Sequence, residues 1–150
     1  RSKVNGNYVM SIMALQEAMK EGYDEALLLD DEDNISEGSG ENFFIVKNQT
    51  LFTPDLDASL DGITRKSIIS LAEELGVKVE VKKVKLQDVL DADELFFTGT
   101  AAEVVPIRSV DKKLISDGER GEITKILQQN YFDQVRGKRD SFSEWLSAID

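Results

Sequence analysis

The sequence contains no cysteine and no histidine among its 150 residues. The absence of cysteine excludes disulfide bonds and thiol chemistry, and the absence of histidine removes the commonest general base and the commonest metal ligand. Any chemistry that this chain performs must therefore come from lysine, tyrosine, carboxylates, hydroxyls, backbone amides or a bound cofactor.

Basic residues are in the minority, because 18 Lys and Arg stand against 29 Asp and Glu, a formal net charge of -11. Such a chain repels phosphate backbones and anionic lipid surfaces, so neither nucleic acid nor a membrane is an expected partner. Long hydrophobic runs are also missing: none approaches the roughly 18 residues of a membrane span, and no signal-type apolar region follows the first charged residues. We therefore predict a cytoplasmic protein.

The composition, 41% hydrophobic and 31% charged, lies in the range of ordinary globular domains. A length of 150 residues suits one domain with its own hydrophobic core. The sequence opens with Arg-Ser-Lys and not with Met, so we expect it to be a piece of a longer polypeptide.

Hydrophobic periodicity predicts helices and strands that alternate along the chain. A helix is indicated from Asn7 to about Lys20, with an apolar stripe made of Tyr8, Ile12, Leu15 and Met19. Further helices are predicted over residues 64–75, 86–90, 123–137 and 141–149. Strands are predicted over residues 26–29, 43–47, 50–53, 77–84, 95–97 and 104–110.

Turn and cap residues mark the element boundaries. Thr64 is expected to cap its helix, and Ser141 with Glu144 forms a capping-box pattern before the last helix. The run 26–29 suits a buried strand, and residues 35–42 are expected to form a glycine-rich bend. Several strands are joined by turns so short that only antiparallel pairing allows them. We predict an α/β chain of the α+β type, in which helices surround a mixed β-sheet or pseudo-barrel.

Three loops carry groups suited to ligand binding. Residues 36–42 place Glu37 and Glu41 around two glycines, where the backbone can approach a ligand closely. Gly62-Ile63-Thr64 would direct amides and a hydroxyl to one point at a helix N-terminus, as phosphate-binding helices do. Gly99-Thr100-Ala101 offers amides and a hydroxyl after a strand. Each also has a plainer interpretation: a solvated glycine turn, a threonine cap and a strand-end turn.

The chain has no GxGxxG or Walker-type loop, which argues against dinucleotides and P-loop nucleotides. It does contain four other motifs in order, which are Lys-x-x-Gly-Asn-Tyr from Lys3, Ile-Ser-Glu-Gly-x-Gly-Glu-Asn from Ile35, Leu-Asp-Gly-Ile-Thr-Arg from Leu60 and Thr-Gly-Thr-Ala-Ala-Glu-Val-x-Pro-Ile from Thr98. With these motifs, nearly the whole chain resembles the branched-chain amino acid aminotransferases, pyridoxal-phosphate enzymes of fold type IV. The resemblance implies that residues 1–150 form the single cofactor-anchoring, C-terminal domain of such an enzyme, without the N-terminal substrate domain.

The resemblance also implies a role for each matching residue. Lys3 would form the Schiff base with pyridoxal 5'-phosphate and shuttle the proton. Tyr8 would hydrogen-bond the phenolic oxygen of the cofactor, and Glu37 would pair with its pyridinium nitrogen, while Glu41 would lie behind these residues. The remaining roles are ring packing by Leu60, phosphate binding by Ile63, Thr64 and Thr100, and binding of the substrate carboxylate by Thr100 and Ala101.

The implied reaction is amino transfer between leucine, isoleucine or valine and 2-oxoglutarate. It needs an amine nucleophile, an electron sink and a general base. One lysine supplies the first and third, and the cofactor supplies the second, so the lack of histidine and cysteine is no obstacle. The residue inventory is therefore sufficient for this chemistry.

Alternatives of the same fold are a D-amino acid aminotransferase and an aminodeoxychorismate lyase, although Gly-Thr-Ala-Ala-Glu-Val from Gly99 favours the branched-chain group. Another alternative is an inactive fragment, or an acidic, non-catalytic domain that binds protein partners. The resemblance implies a homodimer with the substrate pocket near its interface. The 150 residues alone are expected to show weak or absent turnover, because the pocket would be open to water on one side.

Overall fold

The computed structural model describes residues 8–147, in which helices and strands alternate. The helices are α1 (Tyr8–Lys20), α2 (Ile63–Glu74), α3 (Leu86–Leu90) and α4 (Glu122–Val135), and a 3₁₀ turn spans Ser143–Trp145. The strands are β1 (Leu27–Leu29), β2 (Ile35–Gly38), β3 (Asn42–Lys47), β4 (Thr50–Thr53), β5 (Lys78–Val81), β6 (Glu94–Gly99), β7 (Glu103–Pro106), β8 (Ser109–Val110) and β9 (Lys113–Leu114).

A five-stranded sheet forms the centre of the described chain, in the order β5-β4-β3-β6-β7. β4 and β5 run parallel, and the other neighbouring pairs run antiparallel. Two small antiparallel pairs, β1 with β2 and β8 with β9, lie beside it. The sheet is mixed and helices pack on it, which confirms the predicted fold class.

Alternating side chains of β3 and β6 divide the core into two layers, one on each face of the sheet. On one face Phe43 and Phe97 contact each other with ring centroids 5.8 Å apart, in a layer that includes residues of β2 and α3. On the other face Phe44 and Phe96 stack at 4.9 Å, in a layer shared with α2 and α4. Because both faces are covered, the central residues of these strands are all apolar and do not alternate with polar residues.

The predicted hairpin between β3 and β4 is confirmed. Asn48 and Gln49 both have positive φ, 48° and 61°. A two-residue turn with left-handed geometry at both positions matches the right-handed twist of the strands that it joins. The turn fixes the register, with Lys47 opposite Thr50 and Ile45 opposite Phe52.

The predicted N-cap of α2 is wrong by two residues. Gly62 is the N-cap, with extended φ and ψ of -69° and 141°, and Thr64 lies buried within the first turn. Thr64 therefore caps nothing, because its backbone is already helical. The predicted C-terminus is confirmed, since the chain leaves the helix through Gly76 at φ +75°.

Two predicted strands and a bend have different extents in the structure. Residues 35–38 belong to β2, paired with β1, and only residues 39–41 form a bend. The strand predicted over residues 77–84 ends at Val81, and beyond it the Val84 carbonyl only accepts a single hydrogen bond from the Ile35 amide. The sequence predicts that β1 is buried, but Leu29 is 53% exposed and the other two residues of β1 are only half-buried.

The sequence predicts a last helix over residues 141–149, of which the structure describes 141–147, and over these residues the prediction is wrong. This segment contains only the 3₁₀ turn, and Ile149 lies outside the described residues. Phe142 adopts a left-handed backbone, φ 53°, which cannot start an α-helix, and its ring stacks on Trp145 with centroids 4.2 Å apart. Aromatic packing thus overrides the capping-box pattern.

The predicted helix α1 is confirmed, and its apolar stripe is mostly not buried. Tyr8 and Leu15 are half-buried, whereas Ile12 and Met19 are exposed. No α1 residue is fully buried. The apolar surface of α1 is therefore left uncovered by the described chain.

The N-terminus of α4 is capped by a side chain from the central sheet. The Glu94 carboxylate accepts hydrogen bonds from the amides of Ile123 and Thr124, at 3.0 and 2.7 Å, and from the Thr124 hydroxyl at 2.6 Å. A Cβ at Gly121 would overlap the Glu94 side chain, so a larger residue there would displace this carboxylate. This contact joins α4 to β6.

Within residues 8–147 no helix is both long and apolar enough to cross a membrane. The same residues contain no group of three or more carboxylates arranged to hold a metal ion.

Candidate functional site

Three separate segments meet at one edge of the central sheet. β3 begins at Asn42 and β6 ends at Gly99, and the two strands run antiparallel with Asn42 opposite Thr98. Residues 60–62, which lead into α2, are hydrogen-bonded to side chains of β2 and β3. The three loops predicted to bind a ligand therefore lie together in the fold, although the role of each residue stays a prediction.

Glu37 projects from β2 toward the loop before α2. Its Oε2 accepts a hydrogen bond from the Leu60 amide at 2.8 Å, across 23 residues of sequence. An N–H donor on a carboxylate favours its charged form and fixes its orientation. Glu37 is thus a half-buried, oriented acceptor, the kind of group that can hold a cationic nitrogen.

Asn42 holds the same loop from the other side. It is only 6% exposed, and its Nδ2 donates to the Leu60 carbonyl at 2.7 Å. Its Oδ1 lies against Gly62, where a Cβ would overlap it. A larger residue at position 62 would therefore displace this amide.

The N-terminus of α2 has no carboxylate cap among the described residues. Gly62 has no side chain, and the first intrahelical bond joins the Lys66 amide to the Gly62 carbonyl at 3.1 Å. The amides of residues 63–65 precede that bond and are the positive end of the helix dipole. At α4 the corresponding amides are occupied by Glu94, so the two helices differ: within residues 8–147 no side chain caps the first turn of α2, which suits it to an external anion.

Two side chains of the α2 first turn face in different directions. Ile63 is 81% exposed, so any role in holding an anion would fall to its amide. Arg65 is buried, and its guanidinium donates to Thr53 Oγ1 at 3.3 Å and to the Pro54 carbonyl at 3.1 Å. Burial lowers the pKa of Arg65 from its ordinary value, and the nearby Asp61 and Asp55 oppose this shift. A buried cation one turn into the helix adds to the positive potential there.

Glu41 lies in a group of carboxylates behind the glycine bend. Burial raises the pKa of Glu41, and the neighbouring Glu25 and Glu37 raise it further, against a hydrogen bond from the Gly40 amide. Glu25 accepts from the Ser39 amide at 3.3 Å and so anchors the bend to the loop that follows α1. These contacts hold the bend beside β6, where Gly99 lies against Glu41.

The strand-end loop after β6 presents Thr100 and Ala101 to solvent, and both are exposed. Thr98, just before it, is fully buried, and its Oγ1 has no hydrogen-bond partner within residues 8–147. Glu103 begins β7 with a left-handed backbone, φ 58°, which returns the chain sharply into the sheet. These two exposed residues therefore lie at the same edge of the sheet as Asn42.

Two of the predicted site residues lie at the other end of the sequence. Lys3, which carries the predicted chemistry, lies outside the described residues. Tyr8 is the first residue of α1 and is half-buried.

Sequence reasoning assigned no role to Asn42, Arg65 or Glu25. A signal existed for the first two, because both fall within the motifs that carry the family resemblance. Asn42 also opens a run of apolar strand residues, where asparagine is unfavourable and requires a specific partner. Nothing in the sequence around Glu25 predicts its contact with the Ser39 amide, since that contact depends on the β1–β2 pairing.

The arrangement suits a ligand with a cationic nitrogen at one end and an anion at the other. The Glu37 carboxylate and the first turn of α2 are joined through the same short segment, 60–62. A pyridinium ring that carries a phosphate has this distribution of charge. The residues present therefore fit such a group by the chemistry of their donors and acceptors.

Comparisons with known proteins support that interpretation. The amino-transferase class IV family matches residues 1–110. A branched-chain-amino-acid aminotransferase from Pseudomonas aeruginosa is 50% identical over 149 residues, which is 99% of this chain and 48% of that protein. The family match includes Lys3 as well as the loops that meet at the sheet edge.

Solved structures of similar proteins share the fold. A branched-chain amino acid aminotransferase from Thermoproteus uzoniensis, with norvaline, has a TM-score of 0.93 and 44% identity, covering 97% of this chain and 48% of that chain. The branched-chain amino acid aminotransferase of Thermobaculum terrenum, in its PLP form, has a TM-score of 0.94 and 39% identity, covering 97% and 48%. A third, from a T.th. strain and complexed with N-(5'-phosphopyridoxyl)-L-glutamate, has a TM-score of 0.97 and 42% identity, covering 99% and 51%. The chain spans about half the length of the relatives that it matches.

Proposed function

Because this chain belongs to the class IV amino-transferase family, we propose that it is the cofactor-anchoring part of a pyridoxal-phosphate-dependent branched-chain aminotransferase. The observation that carries the proposal is that the Glu37 carboxylate is held by the amide of Leu60, which lies two residues along the chain from the N-cap of α2, and that the first turn of α2 has no side-chain cap among the described residues. The chain that contains this arrangement is 50% identical to a protein named branched-chain-amino-acid aminotransferase.

The proposed substrates are leucine, isoleucine or valine and 2-oxoglutarate. Two similar proteins that bear the name branched-chain aminotransferase support the first group. The solved relative that holds a phosphopyridoxyl derivative of glutamate supports the second, since glutamate is the amino form of 2-oxoglutarate. The partners of the protein are thus small amino acids and 2-oxo acids.

Pyridoxal phosphate, when bound, supplies the electron sink that allows an amino group to be exchanged for an oxo group. Lys3 would bind it covalently through its amine and would move the proton during exchange. Glu37 would hold a proton on the ring nitrogen, and Tyr8 would orient the ring through its phenolic oxygen. Leu60 would exclude water from one face of the ring.

The phosphate would be bound where the chain offers N–H groups and hydroxyls. The amides of Ile63 and Thr64 lie at the positive end of α2, and the hydroxyl of Thr100 lies in the loop after β6. The exposed amides of Thr100 and Ala101 would also bind the substrate carboxylate. A carboxylate and a phosphate would thus use neighbouring donors at one edge of the sheet.

We further propose that residues 1–150 act with an N-terminal domain and a second subunit of the same kind, in the cytoplasm. The uncovered apolar residues of α1 support a covering partner: Met10 is 74% exposed, and Val9 and Met13 are each 57% exposed. Exposed apolar clusters of this kind mark interaction surfaces. The isolated 150 residues are expected to turn over weakly or not at all.

The first test treats the natural-length protein with pyridoxal phosphate, reduces it with borohydride and maps its peptides by mass. The expected result is a pyridoxyl label on Lys3, which Lys3→Ala removes and which the matched control Lys20→Ala, at an exposed lysine of α1, leaves in place. A label on another residue, or none, would refute the assignment.

A second assay separates the reaction classes. An aminotransferase forms the branched 2-oxo acid from leucine in the presence of 2-oxoglutarate, whereas an aminodeoxychorismate lyase releases pyruvate. Pyruvate release without branched 2-oxo acid would keep the cofactor site and refute the proposed reaction.

A further inference from the structure

The backbone N–H and C=O groups of Leu60 are both hydrogen-bonded to side chains. The Leu60 amide donates to Glu37 Oε2 at 2.8 Å, and the Leu60 carbonyl accepts from Asn42 Nδ2 at 2.7 Å. The same carbonyl accepts from the Gly62 amide at 2.9 Å, which closes a tight turn just before α2. The conformation of this turn therefore depends on two side chains that lie far from it in sequence.

Asn42 is rigidly placed to serve as one of these two supports. It is the first residue of β3, opposite Thr98 of β6, so its backbone is fixed by the central sheet. Its side chain is almost fully buried, so water cannot replace a lost hydrogen bond without entering the core. The side chain that holds the Leu60 carbonyl is thus fixed by the pairing of β3 with β6 inside the sheet.

The second polar atom of Asn42 also contacts the turn. Its Oδ1 lies so close to Gly62 that a Cβ at that position would overlap it. Both ends of one amide group therefore touch the segment 60–62, and Gly62 is the N-cap of α2. A shift of Asn42 would move the start of the helix.

We propose that Asn42 is a positioning residue, which holds the N-terminus of α2 at a fixed distance from Glu37 and so sets the place where phosphate is bound. This inference rests on the proposed function, because it concerns the phosphate end of the same cofactor. Asn42 acts through the peptide groups of Leu60 and Gly62, whereas Glu37 acts on the opposite end of the ligand. Removal of Asn42 should therefore impair recognition of the phosphate more than recognition of the ring.

The experiment compares pyridoxal 5'-phosphate with pyridoxal, which lacks only the phosphate, in absorbance titrations of the natural-length protein. Asn42→Ala is expected to raise the Kd for pyridoxal phosphate about tenfold, because the variant loses one buried hydrogen bond and the fixed position of the turn that this bond holds. The Kd for pyridoxal is expected to change less than about twofold. The ratio of the two affinities is a readout that a general loss of stability does not move.

A matched control is Gln134→Ala. Gln134 is also a buried amide, and its Nε2 donates to the Phe142 carbonyl at 3.1 Å, but it lies on α4. It should leave the ratio of affinities unchanged. If Asn42→Ala weakened both ligands equally, or neither, the positioning role would be overturned.

Gly62→Ala covers the case in which Asn42→Ala folds poorly, and where both variants fold they form a double-mutant cycle. Gly62→Ala alone should weaken binding of pyridoxal phosphate about tenfold or more, because its Cβ displaces the Asn42 amide. In the Asn42→Ala background the same change should have little additional effect, since the overlapping atom is gone. Additive effects would contradict the inference. A wild-type protein that bound neither ligand would refute the proposed function and this inference with it, whereas wild-type binding with an unchanged ratio in the variants would refute only the inference.

Discussion

Replacement of Glu94 by alanine is expected to lower the free energy of unfolding by about 2–3 kcal/mol. The carboxylate accepts three hydrogen bonds at the N-terminus of α4, from the amides of Ile123 and Thr124 and from the Thr124 hydroxyl. Loss of a helix cap costs roughly 1 kcal/mol, the charge opposite the helix dipole adds about 0.3–1, and charged hydrogen bonds add more. Glu94 is half-buried, so solvent screening keeps the sum at the lower end.

Glu94→Gln gives an intermediate case. Its amide keeps one oxygen acceptor but turns an NH₂ donor toward groups that are themselves donors, so about half of the stabilisation should be lost. The measurement is urea unfolding of the natural-length protein, in which the midpoint falls and the slope stays constant. The exposed Glu119→Ala serves as control and should change stability by less than about 0.5 kcal/mol.

A Glu94→Ala protein within about 0.5 kcal/mol of wild type would refute this reasoning. It would mean that packing of α4 on the sheet, chiefly through the fully buried Leu127, holds the helix without its cap. Gly121→Ala offers an independent check, because its Cβ would displace the same carboxylate and should be equally destabilising.

Two further predictions concern Thr98, which is buried, and Glu41, which is half-buried. Thr98→Val should keep or raise stability, by up to about 1 kcal/mol in urea unfolding, since the buried Oγ1 has no partner within residues 8–147; a clear loss would reveal a partner beyond them. The folded state raises the pKa of Glu41, so the protonated carboxyl stabilises the protein at low pH, and this stabilisation is lost as pH rises through the folded-state pKa. Glu41→Gln does not titrate, so it should become increasingly more stable than wild type as pH rises above 4.5, the ordinary carboxyl pKa. The check is the urea midpoint of both proteins from about pH 4 to 8, and a difference that does not depend on pH would contradict it.

Local patterns predicted the elements whose causes are local. The Asn48-Gln49 turn, α3 and the glycine that ends α2 were all recognisable, because each depends on turn geometry, helical period or left-handed backbone at one position. The fold class followed from the short turns between strands. These features need no knowledge of distant contacts.

Features that depend on distant contacts were mispredicted or missed. The Thr64 cap and the helix over 141–149 were inferred from residue type. In the structure Gly62, which lies against Asn42, is the N-cap of α2, and Phe142 has a left-handed backbone with its ring stacked on Trp145. The role of Glu94 as a cap for α4 is invisible in sequence, since it crosses from a strand to a helix. The same holds for the candidate site: its motifs were recognisable in the sequence, but the contacts of Asn42 and Glu25 that hold its loops were not.

The Leu60 turn has a consequence for folding. Its two supports come from residues 23 and 18 positions earlier in the chain, and one of them is fixed in turn by pairing of β3 with β6. No contiguous fragment of a few dozen residues contains all of these contacts. The site therefore has no local precursor, and it should appear only at the late, cooperative step in which the long-range strand pairing forms.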